Sequence, residues 1–164
     1  PYQKSRILTF LNPERDPLGA GYQIIQSKIA IGSGGLFGKG FLNGSQSYLD
    51  YLPEKHTDFI YTLFSEEFGF FGSFFILLLY ALIIYRIVRI GNITRSNFGK
   101  LYCYGFATAF FIYVVVNMMM VLGLLPIVGS PLPIMSYGGS SMMAIMFGLG
   151  IVMSCKIYKD IPVN

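Results

Sequence analysis

The stretch "LPEKHTDFI", residues 52 to 60, sets four ionisable side chains within five positions: Glu54, Lys55, His56 and Asp58. Glu54 and Asp58 are spaced i, i+4, so a helix through them would carry both carboxylates on one face. Such a pair is either a solvated charged face or the seat of a general base, its proton affinity raised by partial burial or by the neighbouring carboxylate. Lys55 or His56 would then offer a positive partner to a phosphate. Upstream, "GSGGLFGKGFLNG" (32 to 44) has six glycines in thirteen residues around Lys39. Glycine lets backbone N–H groups approach an anion, so this loop reads as a cradle for a substrate phosphate with Lys39 beside it. It reads first, however, as a tight turn with close helix packing, through the small-xxx-small pairs Gly34/Gly38 and Gly40/Gly44.

Several sharper chemistries fail on spacing. A nucleotide-binding P-loop would need glycine where Ser33 stands, and serine or threonine where Gly40 stands. The dinucleotide pattern starting at Gly32 would need glycine at Phe37. His56 is the sole histidine and no cysteine lies near it, so a zinc site does not assemble in this segment and no metal ligand set is assigned. A harder cation, magnesium or manganese, held by Glu54 and Asp58 together with a substrate pyrophosphate remains open. Cys103 and Cys155 lack CxxC spacing and read as buried or lipid-facing thiols.

The elements that must position these residues are those of a membrane protein. The chain is 54% hydrophobic and only 12% charged, where soluble domains carry roughly 25% charge. Seven of its eight acids precede residue 68. The net charge of +4 therefore reflects basic residues beside apolar runs, a pattern suited to anionic lipid and not to nucleic acid. Three runs are long enough to cross a bilayer as helices: about 70–90, 101–125 and 134–155. Arg86, Arg89, Arg95 and Lys100 mark the connection between the first two as cytoplasmic, and Lys156 and Lys159 place the tail on the same side.

The expected organisation is thus a long extracytoplasmic loop, residues 1–67, followed by a three-span region, 68–164. Within the loop, "GYQIIQSKIAIG" (21 to 32) predicts a short amphipathic helix with Ile24, Ile25, Ile29 and Ile31 as its apolar set. A second helix is expected to open at Pro53 and run through "EEFGFFG" into the first span. Asn117 in the second span and "MSYGGSSMM" at the third read as interhelical hydrogen bonding and small-residue packing. The chain opens Pro-Tyr-Gln-Lys and reads as the C-terminal part of a longer polytopic protein.

Two long motifs carry a resemblance. "QSKIAIGSGGLFGKGFLNGSQSYLDYLPEKHTDFIYTLFSEEFG", and Asn117 followed by Gly123 and "PIVGSPLPIMSYGGSS", look like the C-terminal part of the SEDS family of shape, elongation, division and sporulation proteins. The resemblance is RodA-like, with FtsW as the near relative, and spans essentially the whole chain. It implies an all-α, ten-span bacterial inner-membrane fold, of which this chain would supply the last three spans. It also implies an inverting peptidoglycan glycosyltransferase that polymerises lipid II beside a class B penicillin-binding protein. A lipid II flippase, or a scaffold that only docks that partner, is the alternative. The family's required aspartate falls in its "PE-x-HTDF" stretch, on Asp58. Lys39, Glu54, Lys55 and His56 are the residues expected to orient it or hold the pyrophosphate.

Overall fold

The structure is a computed structural model, which describes residues 20–41, 43–44 and 57–158. Among these, four helices and no strands occur: α1 (Ala20–Gly34), α2 (Ile60–Ile93), α3 (Asn97–Val121) and α4 (Gly139–Ile157). The fold is all-α. Helices α2, α3 and α4, of 34, 25 and 19 residues, are each long and apolar enough to cross a membrane. Even the shortest extends about 28 Å at 1.5 Å per residue. With three such helices the chain is a multi-pass membrane protein, as its sequence anticipates.

Cap chemistry sets the ends of the spans, and it moves them away from the expected limits. Helix α3 starts at Asn97, not 101, because the Ser96 hydroxyl accepts a hydrogen bond from the Gly99 N–H. It ends at Val121, short of Pro126. Gly123, at φ +68°, turns the chain so that its N–H reaches the Met120 carbonyl and that of Leu124 reaches Met119. These paired bonds satisfy the carbonyls a helix leaves open at its C-terminus. Helix α4 opens at Gly139 and not at 134. Ile134 has φ +68°, a left-handed conformation that no right-handed helix accepts and that is strained for a β-branched residue. The 130–138 segment is held out of the helix by tertiary bonds, including one from the Tyr80 hydroxyl to the Pro133 carbonyl.

Helix α1 lies against α2 and the end of α3. Its buried stripe is Gly21, Ile24, Ser27, Ala30 and Gly34, while Ile25 and Ile29 are exposed. The expected apolar set is thus only partly the packed one, because small residues let the helix backbones approach. Ser27 donates to the Val121 carbonyl at 2.8 Å, tying α1 to the C-terminus of α3. The larger core forms around Phe59, Met120, Val121 and Leu132, with Tyr80 and Phe110 beside them. A smaller core of Ile87, Cys103, Ala107 and Val152 lies toward the basic end.

Candidate functional site

Asp58 lies in a turn, residues 57–59, immediately before α2 begins at Ile60. The shared helical face drawn for Glu54 and Asp58 therefore does not extend through Asp58. The turn is fixed by residues distant in the sequence. Asn117, fully buried on α3, donates through Nδ2 to the carbonyls of Asp58 at 3.0 Å and Ser130 at 2.7 Å. Ser136 donates through Oγ to the Thr57 carbonyl at 2.6 Å. One side chain thus bridges the turn and the α3–α4 loop, and a second pins the neighbouring residue.

Phe59, completely buried, anchors the turn from below. A β-carbon built on Gly129 would stand 3.5 Å from Asp58 Oδ2, so the loop passes close by the carboxylate. Asn117 belongs to the motif quoted above, yet its partner across the fold was not predictable. A polar amide inside an apolar run signals a partner without saying which one. Ser130 and Ser136 carry the same weak signal.

Beside this turn, a cavity of about 530 Å³ opens between α3 and α4. Phe106, Phe110, Tyr113, Pro133 and Ile145 line most of it, and Gly129 and Ser130 form its edge toward Asp58. It is a mostly apolar slot with a polar rim, within the size range of ligand pockets.

Lys39 lies elsewhere. Its Nζ contacts Glu66 Oε1 at 2.7 Å, and the Glu66 side chain is fully buried. Burying that carboxylate would be costly without such a cation. Glu66 was not anticipated as a partner for Lys39. The glycine loop around Lys39 repairs a break in α2. Gly69 has φ +66° and ψ −160°, which interrupts the helix. In a continuous helix, the Glu66 and Glu67 carbonyls would accept from the N–H groups of Phe70 and Phe71. Here they accept from Lys39 and Gly40, both at 3.0 Å. Phe70 and Phe71 donate instead to Gly35 and Leu36, at 2.9 and 3.3 Å. The four backbone groups released by the kink are all satisfied by the loop.

That exchange needs backbones in near contact. A β-carbon on Gly38 would fall 2.1 Å from the Glu67 carbonyl oxygen, and one on Gly34 would fall 2.2 Å from that of Ser65. The close-packing reading is therefore realised at the Gly34/Gly38 pair. Glu54, Lys55 and His56 lie outside the described residues. Among the described residues, no three His, Cys, Asp or Glu side chains gather as a metal site.

A family profile described as "Cell cycle protein", FtsW/RodA/SpoVE, matches residues 1–161. The peptidoglycan glycosyltransferase MrdB of Escherichia coli K12 is 52% identical over 158 residues, covering 96% of this chain and 43% of that protein. The peptidoglycan glycosyltransferase RodA of Treponema pallidum is 47% identical over 154 residues, covering 94% and 36%. The chain spans less than half the length of these curated relatives. Among solved structures, one describing structural coordination of polymerization and crosslinking by a peptidoglycan synthase complex matches with TM-score 0.78 and 34% identity. It covers 98% of this chain and 43% of the other. The rod shape determining protein RodA of Thermus thermophilus, solved as a mutant, matches with TM-score 0.65 and 33% identity, over 77% and 39%.

Proposed function

The chain belongs to the FtsW/RodA/SpoVE family, and from that premise we propose that it forms the catalytic C-terminal part of a peptidoglycan glycosyltransferase that polymerises lipid II. The observation that carries this reading is the Asp58 turn, braced by Asn117 and Ser136, whose carboxylate lies close to Gly129 on the edge of an apolar slot. A lipid-linked sugar donor has two unlike ends, a polar saccharide pyrophosphate and a long apolar chain. The polar turn and the slot beside it match that division.

In this mechanism Asp58 is the general base. Its carboxylate accepts the proton of the acceptor sugar's 4-hydroxyl, whose oxygen forms a bond to the anomeric carbon of the growing strand. The bond from that carbon to the lipid pyrophosphate breaks with inversion, and the pyrophosphate leaves with the electron pair. A positioned base contributes about 10²- to 10⁴-fold to rate. Asn117 and Ser136 act on the backbone under Asp58 and are positioning residues. Glu54, Lys55 and His56 are assigned to the pyrophosphate end. Lys39, engaged with Glu66, braces the neighbouring loop. A divalent cation, where the reaction uses one, would be held by Asp58 and Glu54 together with the substrate pyrophosphate, Glu54 lying outside the described residues. A class B penicillin-binding protein is the proposed partner, supported by the crosslinking function named for the similar synthase complex.

The test is Asp58→Asn in the full-length protein, purified with its transpeptidase partner and given labelled lipid II. Glycan polymerisation should fall at least about 100-fold while folding and partner binding persist. Undiminished polymerisation would remove Asp58 from the reaction. Loss of lipid II transport alone would favour a flippase.

A further inference from the structure

At the opposite end of the bundle, Arg86 and Arg89 of α2 and Lys156 of α4 converge on a cavity of about 480 Å³. Ile90, Ile93 and Met153 complete the described lining, which includes no acid. This cavity is continuous with an apolar trough of about 420 Å³ between the same two helices. The trough shares Arg86, Ile90 and Met153 with the cavity and extends along Leu79, Leu82 and Leu149. Leu79 lies seven residues from Arg86, about 10 Å further along α2. The site is therefore cationic at the membrane-surface end and apolar toward the bilayer interior.

We propose that this site holds one anionic glycerophospholipid. Its phosphate would sit among Arg86, Arg89 and Lys156, and one acyl chain would lie in the trough. Charge complementarity selects the headgroup, because three cations facing one another with no acid in the described lining favour a bound anion. Guanidinium groups suit phosphate particularly well, since they donate to two oxygens at once. The trough selects an amphiphile over a free phosphate or an acidic peptide, neither of which would cover its apolar walls. Basic pockets between spanning helices on the cytoplasmic side recognise lipid headgroups in this way. The site lies at the far end of α2 from Asp58, and its occupancy is independent of the proposed reaction.

The experiment titrates the full-length protein with phosphatidylglycerol or phosphatidylcholine and counts bound lipids by native mass spectrometry. Phosphatidylglycerol should bind in preference to phosphatidylcholine. The combined variant Arg86→Gln/Arg89→Gln/Lys156→Gln should lose about 100-fold in affinity for the anionic lipid, with phosphatidylcholine unaffected. Should that variant misfold, Lys156→Gln alone should lose about fivefold. Arg95→Gln/Lys100→Gln, which alters the same basic connection outside the cavity, should change binding much less. Three results would overturn the proposal. These are no preference for the anionic lipid, an equal loss in the Arg95/Lys100 variant, or a Met153→Cys thiol shielded from lipid-phase reagents by another part of the full-length protein.

Discussion

The Asp58 turn and the Gly69 kink brace the same end of α2 with different kinds of atom. At Asp58, the side chains of Asn117 and Ser136 hold backbone carbonyls brought from far along the chain. At Gly69, backbone holds backbone, through four hydrogen bonds exchanged with the glycine loop. The first brace depends on which side chains are present, whereas the second depends on side chains being absent. A side-chain brace is directional, and it grips the main chain of Asp58 from one side. A backbone splice is stiff but chemically plain, so it suits a mechanical role. The charge in that region, Lys39 on Glu66, sits where it neutralises a buried carboxylate.

The largest effect should come from crowding the splice. Gly38→Ala places a methyl group 2.1 Å from the Glu67 carbonyl oxygen, at a residue with φ +79°. Both the clash and the left-handed backbone oppose it, and a loss of about 3 kcal/mol or more is expected. Denaturant titration of the detergent-solubilised protein would measure this. A loss below about 1 kcal/mol would mean that the two backbones separate without consequence.

Breaking the other brace should show more in activity. Asn117→Leu removes the amide donor from the buried Ser130 carbonyl and from the part-buried Asp58 carbonyl. About 2 kcal/mol of stability should be lost. Polymerisation should fall roughly 100-fold, because small displacements of a catalytic group are costly. Normal turnover in a destabilised Asn117→Leu protein would make this brace as purely mechanical as the other.

Lys39→Met separates the two candidate roles of the glycine loop. Lys39 is about one-third exposed while Glu66 is fully buried. Solvent screening tempers the pair, so a stability loss of about 1–2 kcal/mol is expected. As a brace, Lys39 leaves KM for lipid II unchanged. A large rise in KM at unchanged stability would return it to the pyrophosphate.

Much of this fold was legible because apolar runs of bilayer length have few alternatives to a spanning helix. The span ends were less so. Ser96, Gly123 and Ile134 act through local backbone geometry that hydropathy does not register. At the site, spacing alone left Glu54 and Asp58 equivalent, and only the family resemblance singled out Asp58. Asn117 looked like a bond between helices, and its actual partners are two carbonyls in separate loops. Gly69 lay within "EEFGFFG" as one small residue in a helical stretch. Its role emerges only when its backbone is seen against Gly38, since the two are 31 positions apart in the chain. Contacts of that range leave little local trace.

The smallest effect comes from two glycines that face open space. A β-carbon on either Gly32 or Gly35 would meet nothing within 4 Å. They differ in backbone alone: Gly32 lies within α1, while Gly35, just past its end, has φ +58°. Gly32→Ala should stabilise the protein by about 0.5–1 kcal/mol, because alanine loses less conformational freedom in a helix. Gly35→Ala should cost about 1 kcal/mol from its left-handed backbone alone. Together they divide the splice's demand for glycine into space and dihedral angle. If Gly35→Ala proved as damaging as Gly38→Ala, the backbone angle would govern the loop, and close approach to α2 would be incidental.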